Sequence, residues 1–288
     1  MATTITQAFT IFRRNLEITT LQATTVSTRQ QNVRAAVASK LTVLGSFLTG
    51  SYMRNTMIAP LTAADIDVFI VLDSQYYGKD GQAGLLDRVK RALKATYPKT
   101  PDISRDGQAV TIQFSDFEVD VVPAFNRNGG GYLIANSRGG TWIATDPREH
   151  VRLSSRANAA HNGDLVPLIK MIKCWNRTIG GYFRSFHLEV LAWKILEGVR
   201  ISDFPSGMRY FLDAGRTAIA GKNRDPLGYG GDVGYYISTP AQIDGAVSRF
   251  TTAYNRAAKA CAYQQNGRPA DAIGEWRKVF DTTFPAYG

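Results

Sequence analysis

The segment Ile66-Asp-Val-Phe-Ile-Val-Leu72 constrains this chain more than any other. It is β-branched and apolar on both faces, so it reads as a central strand covered on both sides. Val110, Ile112 and Phe114 alternate with polar residues and predict a further strand. Ser115-Asp116 can turn the chain into Phe117-Glu-Val-Asp-Val-Val122, an alternating strand expected to stop at Pro123. A glycine-rich stretch follows, with Gly129 to Gly131 and the pair Gly139-Gly140.

Elsewhere the apolar spacing is helical. Ile5, Phe9, Phe12 and Leu16 mark a first helix, and Val26, Val33, Val37, Leu41 and Leu44 a long second one ending at Gly45 or Gly50. Leu85 to Ala95 forms another. From Asp164 onward the pattern stays helical. Leu165, Leu168, Ile169, Ile172 and Trp175 make one stripe, and Leu188, Leu191, Ala192, Ile195 and Val199 a second, with Ser185 as its N-cap. Ile243, Val247, Phe250 and Tyr254 follow Pro240, and Ile273, Trp276 and Phe280 mark a last helix running to about Phe284. The expected fold class is α+β. A sheet-containing lobe with the N-terminal helices spans residues 1–160, a helical lobe spans 161–288, and the second helix reaches both.

Composition excludes several classes. With 44% hydrophobic and 20% charged residues, the chain is neither disordered nor fibrous. Its longest apolar run, Val68 to Leu72, is far short of the ~20 residues a membrane helix needs. No basic, apolar leader opens the chain, so no signal peptide is expected. Cys174 and Cys261 are the only cysteines, which excludes a disulfide framework and makes the reducing cytoplasm the expected location, and no Cys/His cluster suggests zinc. The net charge of +10 suits a polyanionic ligand such as a nucleoside triphosphate or nucleic acid.

The chemistry concentrates between Gly50-Ser51 and Asp65-Ile-Asp67. Asp65 and Asp67 are two apart on a strand, so they share a face with Cα atoms roughly 6.5–7 Å apart. Two carboxylates so placed repel each other unless divalent cations lie between them, as in two-metal phosphoryl transfer. Asp120 on the later strand offers a third carboxylate, with Glu118 as its rival on the same face. A glycine lets backbone approach phosphate, and a serine hydroxyl can hold terminal phosphate oxygens.

Gly50-Ser51, the Asp65-x-Asp67 pair and Asp120 together resemble the nucleotidyltransferase superfamily typified by DNA polymerase β. Leu168-Ile-Lys-Met-Ile-Lys-Cys-Trp-Asn176, Ser185-Phe-His-Leu-Glu189 and Gly140-Thr-Trp-Ile-Ala-Thr-Asp-Pro147 look like signatures of the bacterial cyclic-oligonucleotide synthases of anti-phage CBASS systems, relatives of cyclic GMP-AMP synthase and oligoadenylate synthase. The resemblance covers about Leu41 to Glu197. It implies a polymerase β-like sheet lobe packed on a helical lobe, ATP and/or GTP as substrates, and two Mg²⁺ ions, for which Mn²⁺ can substitute, on Asp65, Asp67 and Asp120. It further implies Gly50, Ser51, Lys173 and Ser185 as triphosphate contacts. On the helix, Lys170, Lys173 and Arg177 share one face opposite the apolar stripe. Of these, Lys170 and Arg177 read as solvated and Lys173 as the phosphate contact. Trp175 reads as core and His187 as surface, while His150 and His161 show no partner pattern.

Other readings remain open at this stage. The chain could tail tRNA, make linear oligoadenylate, adenylylate a small molecule or a protein, or bind nucleic acid without catalysis. No Cys/His insertion interrupts it, so activity is not expected to need DNA. By resemblance to synthases ending in a small residue, Pro285 to Gly288 is an exposed tail that an E1/E2-like partner could conjugate through Gly288.

Overall fold

The computed structural model describes residues 1–61 and 65–288. The chain divides into two compact units, a sheet unit of residues 18–153 and a helical unit of residues 1–17 and 154–288.

In the sheet unit, α2 (Thr20–Ala38) leads into β1 (Val43–Leu48), the short α3 (Gly50–Met53) and β2 (Asp65–Leu72). Helix α4 (Gly81–Thr96) is followed by β3 (Ile103–Asp106), β4 (Ala109–Gln113), β5 (Glu118–Asn126), β6 (Tyr132–Asn136) and β7 (Thr141–Thr145). The strands run in the order β1-β2-β5-β4-β3, with β6 on the later part of β5 and β7 beyond it. β2 and β5 are parallel, and the other pairs are antiparallel.

The central strand is where its composition predicts. Ile66, Val68 and Ile70 of β2 and Val119 and Val121 of β5 are buried with Val33 and Val37 of α2 and Leu86, Val89 and Leu93 of α4. Each such side chain contributes about 1.5–3 kcal/mol of burial. The opposite face carries Phe69, Val71, Val122, Ala124, Tyr132 and Ile134 at its far end. Its near end carries the carboxylates.

Two local expectations are corrected, and one stretch left without an assignment is filled. The second helix stops at Ala38 and lies wholly in the sheet unit; Leu41 is buried beyond it and Leu44 sits on β1, because Val43 to Leu48 pairs along β2. β5 runs through Pro123 to Asn126. Pro123 falls in the gap between the β4 pairing, which ends at Val121, and the β6 pairing, which begins at Ala124, so that side of the ladder asks for no N–H there. The glycine-rich stretch holds β6 and β7, and Gly140, at φ +61°, sits in the turn between them.

The helical unit contains α1 (Ile5–Asn15), the later part of α5 (Pro147–Ala160), α6 (Leu165–Thr178), α7 (Ser185–Leu196), α8 (Phe204–Ala218), α9 (Pro240–Gln265) and α10 (Pro269–Phe280). The expected division at residue 160 therefore changes at both ends. Phe9 meets Trp276 at 5.1 Å and Phe12 meets Phe280 at 4.4 Å, so aromatic packing draws the first helix into the helical unit. Glu17 adds an ion pair to Lys170 at 2.6 Å. Trp175 is core, as expected, against Phe250 at 4.7 Å.

The last helix ends at Phe280, short of Phe284, which is fully buried. Nor is the C-terminal segment a free tail. Tyr287 bridges to Ala2 in parallel, the Ala2 amide donates to the Ala286 carbonyl at 3.0 Å, and the Gly288 amide donates to the Ala2 carbonyl at 3.3 Å. No described helix is long and apolar enough to cross a membrane.

Candidate active site

Period-two alternation sends Ile66 and Val68 into the core and Asp65 and Asp67 to the other face. The same holds on β5 for Glu118 and Asp120. The parallel register then sets Asp67 opposite Asp120 and Asp65 opposite Glu118. Four carboxylates share one end of one sheet face: Asp120 is level with Asp67, and Glu118, one step nearer the strand start, is level with Asp65.

β1 ends beside this row, with the Thr49 amide donating to the Asp67 carbonyl at 3.0 Å. Gly50 follows at φ +63°, and a Cβ built on it would lie 1.7 Å from Asp67 Oδ2. The backbone conformation favours glycine, and any side chain here would push the Asp67 carboxylate aside. Ser51 begins the turn, and its carbonyl accepts from the Thr56 amide at 2.9 Å and the Met57 amide at 3.2 Å. The loop from Gly50 to Asp65 crosses residues 62–64, outside the described residues.

Two further residues matter here that the sequence reading passed over. Thr111, opposite Asp120 on β4, donates its hydroxyl to Asp120 Oδ1 at 2.5 Å. Thr49 Oγ1 is buried with no hydrogen-bond partner among the described residues. Alternation along β4 could have pointed to Thr111; nothing local distinguishes Thr49.

The electrostatics match a row of anions. Desolvation raises the Asp65 carboxyl above the ordinary carboxylate value, and the charge and hydrogen bond of Glu118 raise it further. Desolvation also raises Asp120, with Asp65 adding to it and the Thr111 hydroxyl pulling the other way. An all-oxygen, all-anionic donor set of this kind suits a hard divalent cation such as Mg²⁺. Among the described residues no three of these groups close into a ready-made cation cage.

The residues expected in the helical unit fall differently. Lys173 is 6% exposed and its ammonium lies 2.6 Å from Glu189 Oε1, itself fully buried. Lys170, expected in solvent, is 3% exposed on its side chain and paired with Glu17. The solvated basic face is thus replaced by two lysines inside the fold, because carboxylates on α7 and after α1 meet them. Ser185 is exposed as the first residue of α7, and Arg184 takes the N-cap position in its place. His187, expected on the surface, is 1% exposed. Its Nδ1 meets the Tyr236 hydroxyl at 3.0 Å, its Nε2 has no partner among the described residues, and burial pushes its pKa down to about 4. His161 bridges the carbonyls of Ala157 and Leu196 at 2.7 and 2.8 Å, a structural role.

Residues 3–158 match the Second Messenger Oligonucleotide or Dinucleotide Synthetase (SMODS) domain family. The chain belongs to the SMODS family. As a SMODS protein it is a nucleotidyltransferase. It is 27% identical over 277 residues to a probable cyclic nucleotide synthase of Bacillus cereus strain VD146, covering 83% of this chain and 81% of that one. It is 33% identical over 136 residues to a cyclic AMP-AMP-AMP synthase of an Acinetobacter species, covering 46% of this chain and 39% of that one. Among solved structures, Escherichia coli CdnC with ATP superposes at a TM-score of 0.79 with 18% identity, covering 98% of this chain and 99% of that one. That likeness establishes the fold of this SMODS protein and bears out the expected class.

Proposed function

We propose that this protein joins ATP and/or GTP into a cyclic di- or trinucleotide second messenger for anti-phage signalling, in a metal-dependent reaction. The observation that carries the reading is the row Asp65, Asp67 and Asp120 on one sheet face, with Gly50 fitted against Asp67. The names of the Bacillus and Acinetobacter relatives support it.

Asp65, Asp67 and Asp120 are the residues that would hold Mg²⁺, two ions in this proposal, with Mn²⁺ able to substitute. Bound there, the cations supply positive charge to the triphosphate and to the departing pyrophosphate. Gly50 keeps the carboxylate face open to phosphate, and the Ser51 hydroxyl hydrogen-bonds terminal phosphate oxygens. Asp120, oriented by Thr111, takes the proton of the attacking 2′- or 3′-hydroxyl. The hydroxyl oxygen bonds to the α-phosphorus as the bond to pyrophosphate breaks. A last transfer of the same kind, the second for a dinucleotide and the third for a trinucleotide, closes the ring with release of another pyrophosphate. Positioning and charge do most of this work.

In the helical unit, Ser185 is proposed as a phosphate contact, supported by its exposure at the start of α7, where helix N–H groups favour anions. Lys173 is proposed as a phosphate-directed charge whose ammonium Glu189 positions. Conjugation of Gly288 by an E1/E2-like partner is proposed as a separate activity; it requires the segment to release Ala2. The proposed location is the cytoplasm, with no requirement for DNA.

The test is mass spectrometry of products from mixed nucleoside triphosphates after phosphatase treatment. A phosphatase-resistant cyclic product supports the proposal. A linear, phosphatase-sensitive oligonucleotide as the sole product overturns it.

A further inference from the structure

The helical unit holds a charged cavity of about 640 Å³. It is bounded by the end of α6, the middle of α9 and the end of α10. Small-molecule sites commonly span about 300–1,000 Å³, so a nucleotide-sized ligand fits.

The cavity walls carry Arg249, Arg256, Arg277 and Lys278 against one carboxylate, Asp281. Lys278 is compensated by Glu275 at 2.8 Å. Among the described residues none of the three arginines has a carboxylate partner. Two are nonetheless held in place. Arg249 lies over the Tyr182 ring at 3.8 Å and donates to the Gly245 carbonyl at 2.9 Å. Arg256 donates to the Lys278 carbonyl near the end of α10. That bond accounts for Arg256 as a helix C-terminal partner. Neither contact of Arg249 supplies it with an anion, and Arg277 has none either among the described residues. Three like charges around one concavity repel each other unless an anion joins them. Guanidinium groups recognise phosphate through paired N–H donors, better than lysine does. The lining also has an apolar part, with Ile179 and Ala253 beside the buried Trp175 and Val279.

We propose that this cavity binds a nucleotide carrying two or more phosphate groups, with its phosphates on Arg249, Arg256 and Arg277 and its base against the apolar part of the lining. The site uses no residue of the sheet unit. Its ligand can come from either end of the proposed reaction, as a nucleoside triphosphate or as a phosphodiester-linked product.

Calorimetric titration of the full chain with a non-hydrolysable ATP analogue, cyclic di-AMP and inorganic tripolyphosphate tests this. Gly50→Val removes the carboxylate-face site, and at least one nucleotide probe should still bind that variant. Within the Gly50→Val chain, adding Arg249→Ala with Arg277→Ala should weaken this binding at least about tenfold, the effect of losing charge-assisted hydrogen bonds. Adding Ser248→Glu instead, a charge at an exposed rim position, should weaken it as well. Tighter binding of the ATP analogue than of cyclic di-AMP assigns the site to substrate, and the reverse assigns it to product. The proposal is overturned if Gly50→Val binds no nucleotide probe, or if the folded cavity variants titrate like the Gly50→Val parent. Neither result touches the catalytic reading, which stands or falls on product formation.

Discussion

Gly50 and Asp67 are fitted to each other: a single added Cβ on the glycine would meet the carboxylate Oδ2 at 1.7 Å. The glycine is also at φ +63°, where any L side chain is strained. Gly50→Ala should therefore displace Asp67 and lower synthesis at least ~10²-fold, comparable to losing one key transition-state contact. It should cost only about 1–2 kcal/mol of stability from the left-handed backbone. Initial rates and thermal unfolding of the same preparation check both figures; a rate near that of the natural chain would remove Gly50 from the site.

The strand register separates four neighbouring carboxylates. Asp67→Asn and Asp120→Asn should each reduce product at least ~10²-fold with the fold intact. Glu118→Gln should be mild, since Glu118 is paired with Asp65 and away from the Asp67–Asp120 level. Thr111→Val should lower kcat with little effect on KM, as it removes a positioning bond to Asp120. Steady-state kinetics on the four variants decide this, and a severe Glu118→Gln defect with a mild Asp120→Asn one would reverse the roles.

Lys173 and Glu189 form a buried ion pair. Breaking it from one side strands a charge, so Lys173→Met or Glu189→Gln should each cost about 3–5 kcal/mol. The double variant Lys173→Met with Glu189→Leu should regain most of that loss in denaturant titrations. It also isolates the phosphate role, because weakened ATP binding in a restabilised double variant cannot come from unfolding. Unchanged ATP affinity would limit Lys173 to structure.

His187 is held neutral by burial, with a folded pKa of about 4 against an ordinary 6.5. The unfolded chain therefore binds the proton more readily between those values, and stability rises as pH goes from 4 to 6.5. The contribution is at most about 3 kcal/mol across the window. His187→Gln should flatten this part of the stability–pH profile, as measured by denaturant midpoints at half-unit pH steps. An unchanged slope would assign it to other groups.

The β2 strand, the carboxylate spacing and the helical stripes were legible because each is a local period. Ile66 and Val68 could face only one way once Asp65 and Asp67 faced the other. β1, β6 and β7 were not legible. Leu41 and Leu44 continue a helical period, and only the pairing of Val43 to Leu48 along β2 breaks it. Trp175 read correctly as core from its stripe. Lys170 read wrongly as solvated, and the burial of Lys173 was not legible, because burial of a lysine depends on a carboxylate far along the chain, Glu17 or Glu189.

What the sequence determined by itself was therefore the presence of a strand bearing Asp65 and Asp67, a glycine-serine turn before it, and a later strand bearing Asp120. Periodicity and residue chemistry are carried in the chain without reference to distant partners. The tertiary structure alone decided that Asp120 is level with Asp67, that Gly50 lies against that carboxylate, and that the first helix joins the last. Register, close approach and long-range ion pairs are relations between segments, and their free energy exists only once those segments meet.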